Sequence, residues 1–305
     1  MAATKEYNYL QFPLCLLRET YDDPVHGINL MICYGIIYYA LKQKYTLRDA
    51  ARQMVYDWYR DRDKLDATTL KQINKAIDRE EFYEDEDYNG FSGDTFEPDD
   101  NIDQMLSLFD KYPEVKNRAI FNYHLHTACQ VLDIDVHSLA DTFAMYREAN
   151  KIKEAFEAEH GPDAMPHCKT DILFDFRGNP SEIDLFRAFI GCSSLIGQRV
   201  FTGTHKTVIL SRMLGAKSNQ VLNEFMDAKT IPTYEYYMNR KHFVKLMDRL
   251  AEHHFIMSLT RKHVGVIYIS KWMEPEDLAE RIVAAKDAKT AKNLKKRRNE
   301  AGSSI

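Results

Sequence analysis

Between Asn239 and Ser270 the sequence changes its hydrophobic period midway, and this change constrains the surrounding fold more than any other feature. The first part, N-R-K-H-F-V-K-L-M-D-R-L-A-E, places Phe243, Leu246, Met247 and Leu250 at i, i+3, i+4 and i+7. That spacing lines one face of an α-helix. Arg240, Lys241, Lys245 and Arg249 fall on the opposite face. The period then shortens. Phe255 to Leu259 is strand-like, Thr260-Arg261-Lys262-His263 is polar, and Val264 to Ile269 is β-branched and aromatic. Two such runs around a polar tip predict a hairpin. The expected unit is a basic amphipathic helix running into a hairpin with Arg261 and Lys262 at its tip.

The residues upstream extend this pattern. Thr170 to Phe176 (T-D-I-L-F-D-F) reads as a strand, and Asn179-Pro180-Ser181 caps a helix from Glu182 to about Ile196. Arg199 to Thr202 reads as a short strand, and His205 to Leu214 as a helix stopped by Gly215. Asn219 to Ala228 reads as a further helix, before the aromatic run Tyr234-x-Tyr236-Tyr237. The order of helix, short strand, helix, basic helix and hairpin resembles a winged helix-turn-helix domain. Residues Ala216 to Met238 depart from that family as an insertion before the basic helix.

The resemblance implies double-stranded DNA as partner, with the basic helix in the major groove and the wing on the backbone or minor groove. It implies contacts from Arg240, Lys241, His242, Lys245 and Arg249 on the helix and from Arg261 and Lys262 on the wing. Lys295, Lys296, Arg297 and Arg298 in the C-terminal run K-D-A-K-T-A-K-N-L-K-K-R-R add a phosphate-attracting tail. Phosphate contacts would supply affinity, and Arg240, Lys241, His242 or Lys245 at base edges would supply specificity. Asn219 to Ala228 competes for the recognition position, but Glu224 and Asp227 lie on it, so Arg240 onward is preferred.

Charge divides the chain in two. Residues 1–165 carry 18 Lys and Arg against 31 Asp and Glu, and residues 166–305 carry 23 against 15. The halves are therefore −13 and +8, which together give the net −5. Two surfaces with different partners are one explanation, and mutual neutralisation across an interface is the other.

In the acidic half, Tyr7 to Arg18 reads as an extended segment and a short helix, and Ile28 to Gln43 as a helix apolar nearly all round. Thr46 is placed to cap the next helix, and Asp66 to Phe82 is amphipathic. The run Q-F-P-L-C-L-L-R, a long apolar helix and T-L-R-D-A-A loosely resemble the opening winged helix of plasmid replication initiators and primosome proteins. Here the recognition position ends in Asp78-Arg79-Glu80-Glu81, which would repel a duplex, so the resemblance implies a protein-binding role. Residues 78–104 hold twelve acids and one arginine. Asp85-x-Asp87-x-Asn89-Gly90 matches the start of an EF-hand loop, but its twelfth position is Phe96 and Glu97 comes one residue late. An exposed acidic loop is the expectation there. Met105, Leu106 and Phe109 share a helix face ending at Pro113, Phe121 to Leu132 is a helix, Asp133-Ile134-Asp135 turns, and Val136 to Ala158 is a longer helix. Gly161-Pro162 and Met165-Pro166 mark a boundary.

Several chemistries lack their motifs. With 12 glycines the chain is poor in the loops of nucleotide-binding α/β folds. Gly197-Q-R-V-F-T-Gly203 spaces its glycines by five residues, and no lysine follows the second, unlike a phosphate-binding loop. G-x-S-x-G is absent around Ser193 and Ser194. In His124-x-His126-x-x-Cys129, helical geometry brings 126 and 129 together but not 124. Five dispersed cysteines without C-x-x-C fit a reducing cytoplasm better than a disulfide framework. The start M-A-A-T-K-E-Y-N lacks an apolar signal region, and Leu30 to Leu41 is too short to span a bilayer.

The expected architecture is mainly α (α+β). A helical acidic domain spans 1–160, a winged-helix-like domain with a small hairpin wing 167–273, and a helix with a basic tail 274–305. The expected protein is cytoplasmic and non-enzymatic, without cofactor, catalytic residues, metal or membrane partner. It binds DNA as a transcription regulator or replication accessory factor, with a protein partner on the acidic half. The alternatives are an interaction scaffold whose winged helix binds protein, and an enzyme of unrecognised type.

Overall fold

The computed structural model describes residues 9–42, 47–60, 98–135, 139, 141–253, 256–260, 265–271 and 273–302. In chain order the first elements are β1 (Tyr9–Gln11), α1 (Pro24–Leu41), α2 (Leu47–Arg60), α3 (Pro98–Lys111), α4 (Pro113–Leu132) and α5 (Thr142–His160). Then come β2 (His167–Lys169), α6 (Thr170–Gly178), α7 (Ile183–Ile196), β3 (Phe201–Thr204) and α8 (Lys206–Met213). The last are α9 (Ile231–Met238), α10 (Arg240–Glu252), β4 (Met257–Thr260), β5 (Ile267–Ser270) and α11 (Pro275–Gly302). The protein is mainly helical with two small antiparallel sheets, the α+β class expected. The expected helix at Asp66–Phe82, the expected cap at Thr46 of the helix that begins at Leu47, and the acidic loop Asp85–Glu97 lie outside the described residues.

Contacts divide the chain into two compact units, one built from residues up to 34 and from 145 onward, the other from 35–144. The boundary expected between 160 and 167 falls inside the first unit. The physical reason is the N-terminal segment. β1 pairs antiparallel with β2, setting Leu10 opposite Cys168, both fully buried. A 3-10 helix, Leu14–Tyr21, follows and buries Leu14, Cys15, Leu16, Leu17 and Thr20. Its start is tied down by Leu14 N–H donating to the Ala164 carbonyl (2.9 Å) and Cys15 N–H donating to Asp163 (2.8 Å).

At the centre of this unit, α7 buries every residue from Leu185 to Ser193, including Arg187. Each nitrogen of Arg187 has a partner. Nε donates to Thr20 Oγ1 (2.9 Å), Nη2 to the Thr20 carbonyl (2.6 Å) and Nη1 to Asp184 (2.7 Å). Its guanidinium carbon lies 3.5 Å from the centroid of the Tyr21 ring. Asp184 also accepts from the Tyr237 hydroxyl at 3.1 Å, joining α9 to the network.

Two expectations are corrected here. Thr170–Phe176 is not a strand but most of α6, because Ile172, Leu173 and Phe176 bury a helical stripe and Asp171 sits favourably in the first turn. The strand is the preceding tripeptide, β2. Asn219–Ala228 is not a helix but a loop around a 3-10 turn, Leu222–Phe225. Asp227 ends it by accepting from the backbone of Lys229 (2.9 Å) and Thr230 (3.0 Å), a local pattern that competes with helix. Phe225 is buried there among Cys15, Phe156, Leu214 and Ala216.

The larger sheet has the order β3-β5-β4, antiparallel throughout. Ile267 and Ile269 of the central strand are buried. Its last residue, Ser270, donates to the Val200 carbonyl (2.6 Å).

In the second unit α2, α3 and α4 pack on one another around Ala51, Met54, Ile102, Leu108, Phe109, Val115 and Ala119. Pro113 does more than break a helix: it opens α4 at a position where its missing N–H has no bond to lose. Asp133 ends α4 in the left-handed region (φ 53°). Helix α1 has the length and composition to cross a membrane, and 61% of it is buried, as in a core helix. The expected helix Val136–Ala158 begins later, at Thr142.

Candidate nucleic-acid interface

Helix α10 begins with a side-chain cap: Asn239 Oδ1 accepts from the Lys241 amide at 2.9 Å. Its apolar stripe is seated as its spacing predicts, with Phe243, Leu246, Met247 and Leu250 all buried. Four such side chains contribute on the order of 6–12 kcal/mol of transfer free energy. That burial fixes the helix's rotation, so the polar face must look outward.

On that face Arg240, Lys241 and Lys245 are exposed and make no ion pair with a described residue. His242 is half-buried, stacked on Tyr236 with centroids 3.9 Å apart and planes at 17°. Its Nδ1 lies 3.0 Å from the Tyr236 carbonyl, so that nitrogen donates. Arg249 pairs with Glu182, just before α7. The same exposed face carries Val244, Asp248 and Glu252. Positive charge is therefore concentrated in the first two turns of α10. Lys206 steadies the approach to these turns by donating from Nζ to the Met238 carbonyl (2.6 Å).

The strands after α10 form the expected hairpin, β4 with β5. Arg261 and Lys262 lie outside the described residues. The expected basic tail is helical: α11 runs through Gly302, placing Lys295, Lys296, Arg297 and Arg298 on a helix rather than a free end. Within α11, Lys286 Nζ lies 5.1 Å from the Tyr268 ring centroid of β5.

Of the candidate metal ligands, His124 and Cys129 are buried in α4 and His126 is half-buried. Burial pushes the Cys129 thiol up to about 12 and His124 below its ordinary value. Among the described residues, the one group of three ligating side chains with donor atoms within 4.8 Å is elsewhere: Glu159, His160 and Glu224. His160 Nε2 stands 3.0 Å from Glu224 and 3.5 Å from Glu159, an ion pair when the ring is protonated. Sequence spacing could not reveal this group, since Glu224 comes from the 3-10 turn.

The C-terminal end of α7, β3 and the start of α8 enclose an open cleft of about 840 Å³. The cleft contains the glycine-spaced segment 197–203 that fails as a phosphate-binding loop. The chain matches no family model, no curated protein and no solved structure.

Proposed function

We propose that this protein binds double-stranded DNA through the first two turns of α10, as a transcription regulator or replication accessory factor. The observation that carries the reading is the exposed trio Arg240, Lys241 and Lys245 on a helix whose rotation is fixed by a buried stripe. The element order supports it: α7, β3, α8, α10 and a hairpin, with β5 between β3 and β4, follow the order of a winged helix. In this reading α9 and the loop before it are an insertion, and Arg249, held by Glu182, orients the helix rather than touching a base.

Fluorescence anisotropy of a mixed-sequence duplex against the full chain tests this. Saturable binding that weakens with salt and with charge reversal at Lys241 and Lys245 is the expected result. No binding at low salt overturns it. Val244, Asp248 and Glu252 on the same face favour a second reading, an interaction scaffold in which α10 meets a protein.

A further inference from the structure

The cleft between α7, β3 and α8 is lined by cationic and neutral polar side chains. Arg199, His205 and Arg212 are its charged or chargeable side chains, and Ser194, Gln198 and Thr202 add neutral polar groups. Among the described residues no carboxylate lines it. Leu195, Ile196 and Val208 supply apolar wall. A volume of about 840 Å³ is that of a small-molecule pocket, far larger than a single ion needs.

Arg212 is the decisive residue. Its Nε and Nη1 are buried and have no hydrogen-bond partner. Buried donors are paired in the great majority of native proteins, and an exposed surface arginine would not face this problem. Burial lowers its pKa from the ordinary arginine value, and Asp163 opposes that shift. Asp163 interacts with Arg212 at longer range without a hydrogen bond to it, while its oxygens accept from the Cys15 and Ala164 amides at 2.8 and 2.7 Å. The contrast with Arg187 is direct: that guanidinium, on a more deeply buried residue, has a partner for every nitrogen.

The adjoining helix adds to the positive potential. α8 is preceded by His205, which lines the cleft and whose side chain makes no capping bond, so the next amides, of Lys206 and Thr207, lack intrahelical partners. Amides and helix dipole together favour an anion there. Gly197 ends α7 with φ +55°, which turns the chain so that Gln198 and Arg199 form one wall.

We propose that this cleft binds a phosphate-bearing small molecule of about nucleotide size, with Arg199, Arg212 and the α8 amides on the phosphate. The proposal does not depend on the DNA reading. A phosphate group could come from a free phosphomonoester or from a nucleic-acid backbone, and the proposal commits to the former.

The test is isothermal titration calorimetry on the full chain with adenosine monophosphate, inorganic phosphate and adenosine as probes, and anisotropy with a duplex as a separate arm. Arg199→Glu is the first variant, since Arg199 is exposed and its loss leaves the core intact. Arg212→Met is the second, retaining the stem that packs near Gly191. The expected result is binding of the monophosphate and not of adenosine, weakened at least about tenfold by each variant. Circular dichroism and melting of Arg199→Glu should match the parent. No binding of either phosphate probe overturns the proposal, as does unchanged affinity in Arg199→Glu. Loss of duplex binding in Arg199→Glu, with no response to the monophosphate, also overturns it and assigns the cleft to the nucleic-acid backbone.

Discussion

Arg187 reaches across 167 positions of sequence to hold Thr20 by both its hydroxyl and its carbonyl. The contact joins the N-terminal 3-10 helix to the central helix α7 and makes the first unit a single body from two distant segments. Replacing Arg187 with Ala leaves the Thr20 carbonyl buried without this donor. Each such orphaned group costs about 1–3 kcal/mol, and lost packing on Tyr21 adds to it. Urea unfolding of Arg187→Ala should show destabilisation of roughly 3 kcal/mol. Arg187→Lys should recover only part, because an ammonium cannot serve Thr20 and Asp184 together with the same fork. Wild-type stability in Arg187→Ala would show that the network is incidental.

Gly27 supports the same junction by having no side chain. A Cβ there would meet the Thr20 amide nitrogen at 2.6 Å and the Thr20 Cα at 2.9 Å. Both are backbone atoms, so the segment must shift. Gly27→Ala should raise the helix propensity of α1 yet lower stability by about 1–3 kcal/mol, the reverse of a helix-interior glycine in open space. A melting temperature equal to or above the parent's would contradict the close approach.

If α10 binds DNA through Arg240, Lys241 and Lys245, the affinity must follow counterion release. Three phosphate contacts give a slope of log K against log salt of roughly −3, and the Lys241→Glu/Lys245→Glu variant should flatten it towards roughly −1. Arg249→Ala should behave differently. It removes an ion pair with Glu182 at a half-buried position, so a small loss of stability with little change in slope is expected. A slope unaffected by the double reversal would remove α10 from the interface.

How much of this was legible follows from the range of each interaction. The α10 stripe could be read because burial and exposure alternate within a few residues of each other, and the hairpin because its two strands are neighbours in sequence. T-D-I-L-F-D-F reads as a strand because a short apolar run fits a buried strand as well as a helix. Only the packing of Ile172, Leu173 and Phe176 on the rest of the unit selects the helix. The β1–β2 pairing left no local trace, since three-residue strands separated by most of the chain show no period. Arg187 is one of two charges in the otherwise apolar run I-D-L-F-R-A-F-I, and its partner Thr20 lies in a segment that the expected boundary assigns to the other domain. The cleft at Arg199, His205 and Arg212 was hidden for the same reason: three elements bring the residues together, and no motif spacing records it.

The buried thiols make an alkaline prediction. Burial pushes Cys129 and Cys192 up to about 12, with Asp135 adding to the first and Lys271 opposing the second. Folded thiols then hold their protons while unfolded thiols ionise at their ordinary value. The folded state binds more protons in that interval, so stability is fully present below about pH 8.5 and declines as pH rises towards 12. Denaturant midpoints should fall steadily across that window. Cys129→Ser/Cys192→Ser should show a shallower alkaline decline, even if less stable at neutral pH. An identical decline in both proteins would assign it to other groups.

The pairing of β1 with β2 also has a consequence for synthesis on the ribosome. The segment Leu10–Leu17 leaves the exit tunnel long before Cys168 or Arg187 has been translated. At about 5–20 residues per second, the 167 positions between Thr20 and Arg187 take roughly 10–30 s. Throughout that interval residues 35–144 can already collapse, while the apolar opening stretch has no strand to join. The nascent chain therefore presents Leu14, Leu16 and Leu17 to chaperones for as long as the interrupted unit remains half made, and maturation is timed by the arrival of α7.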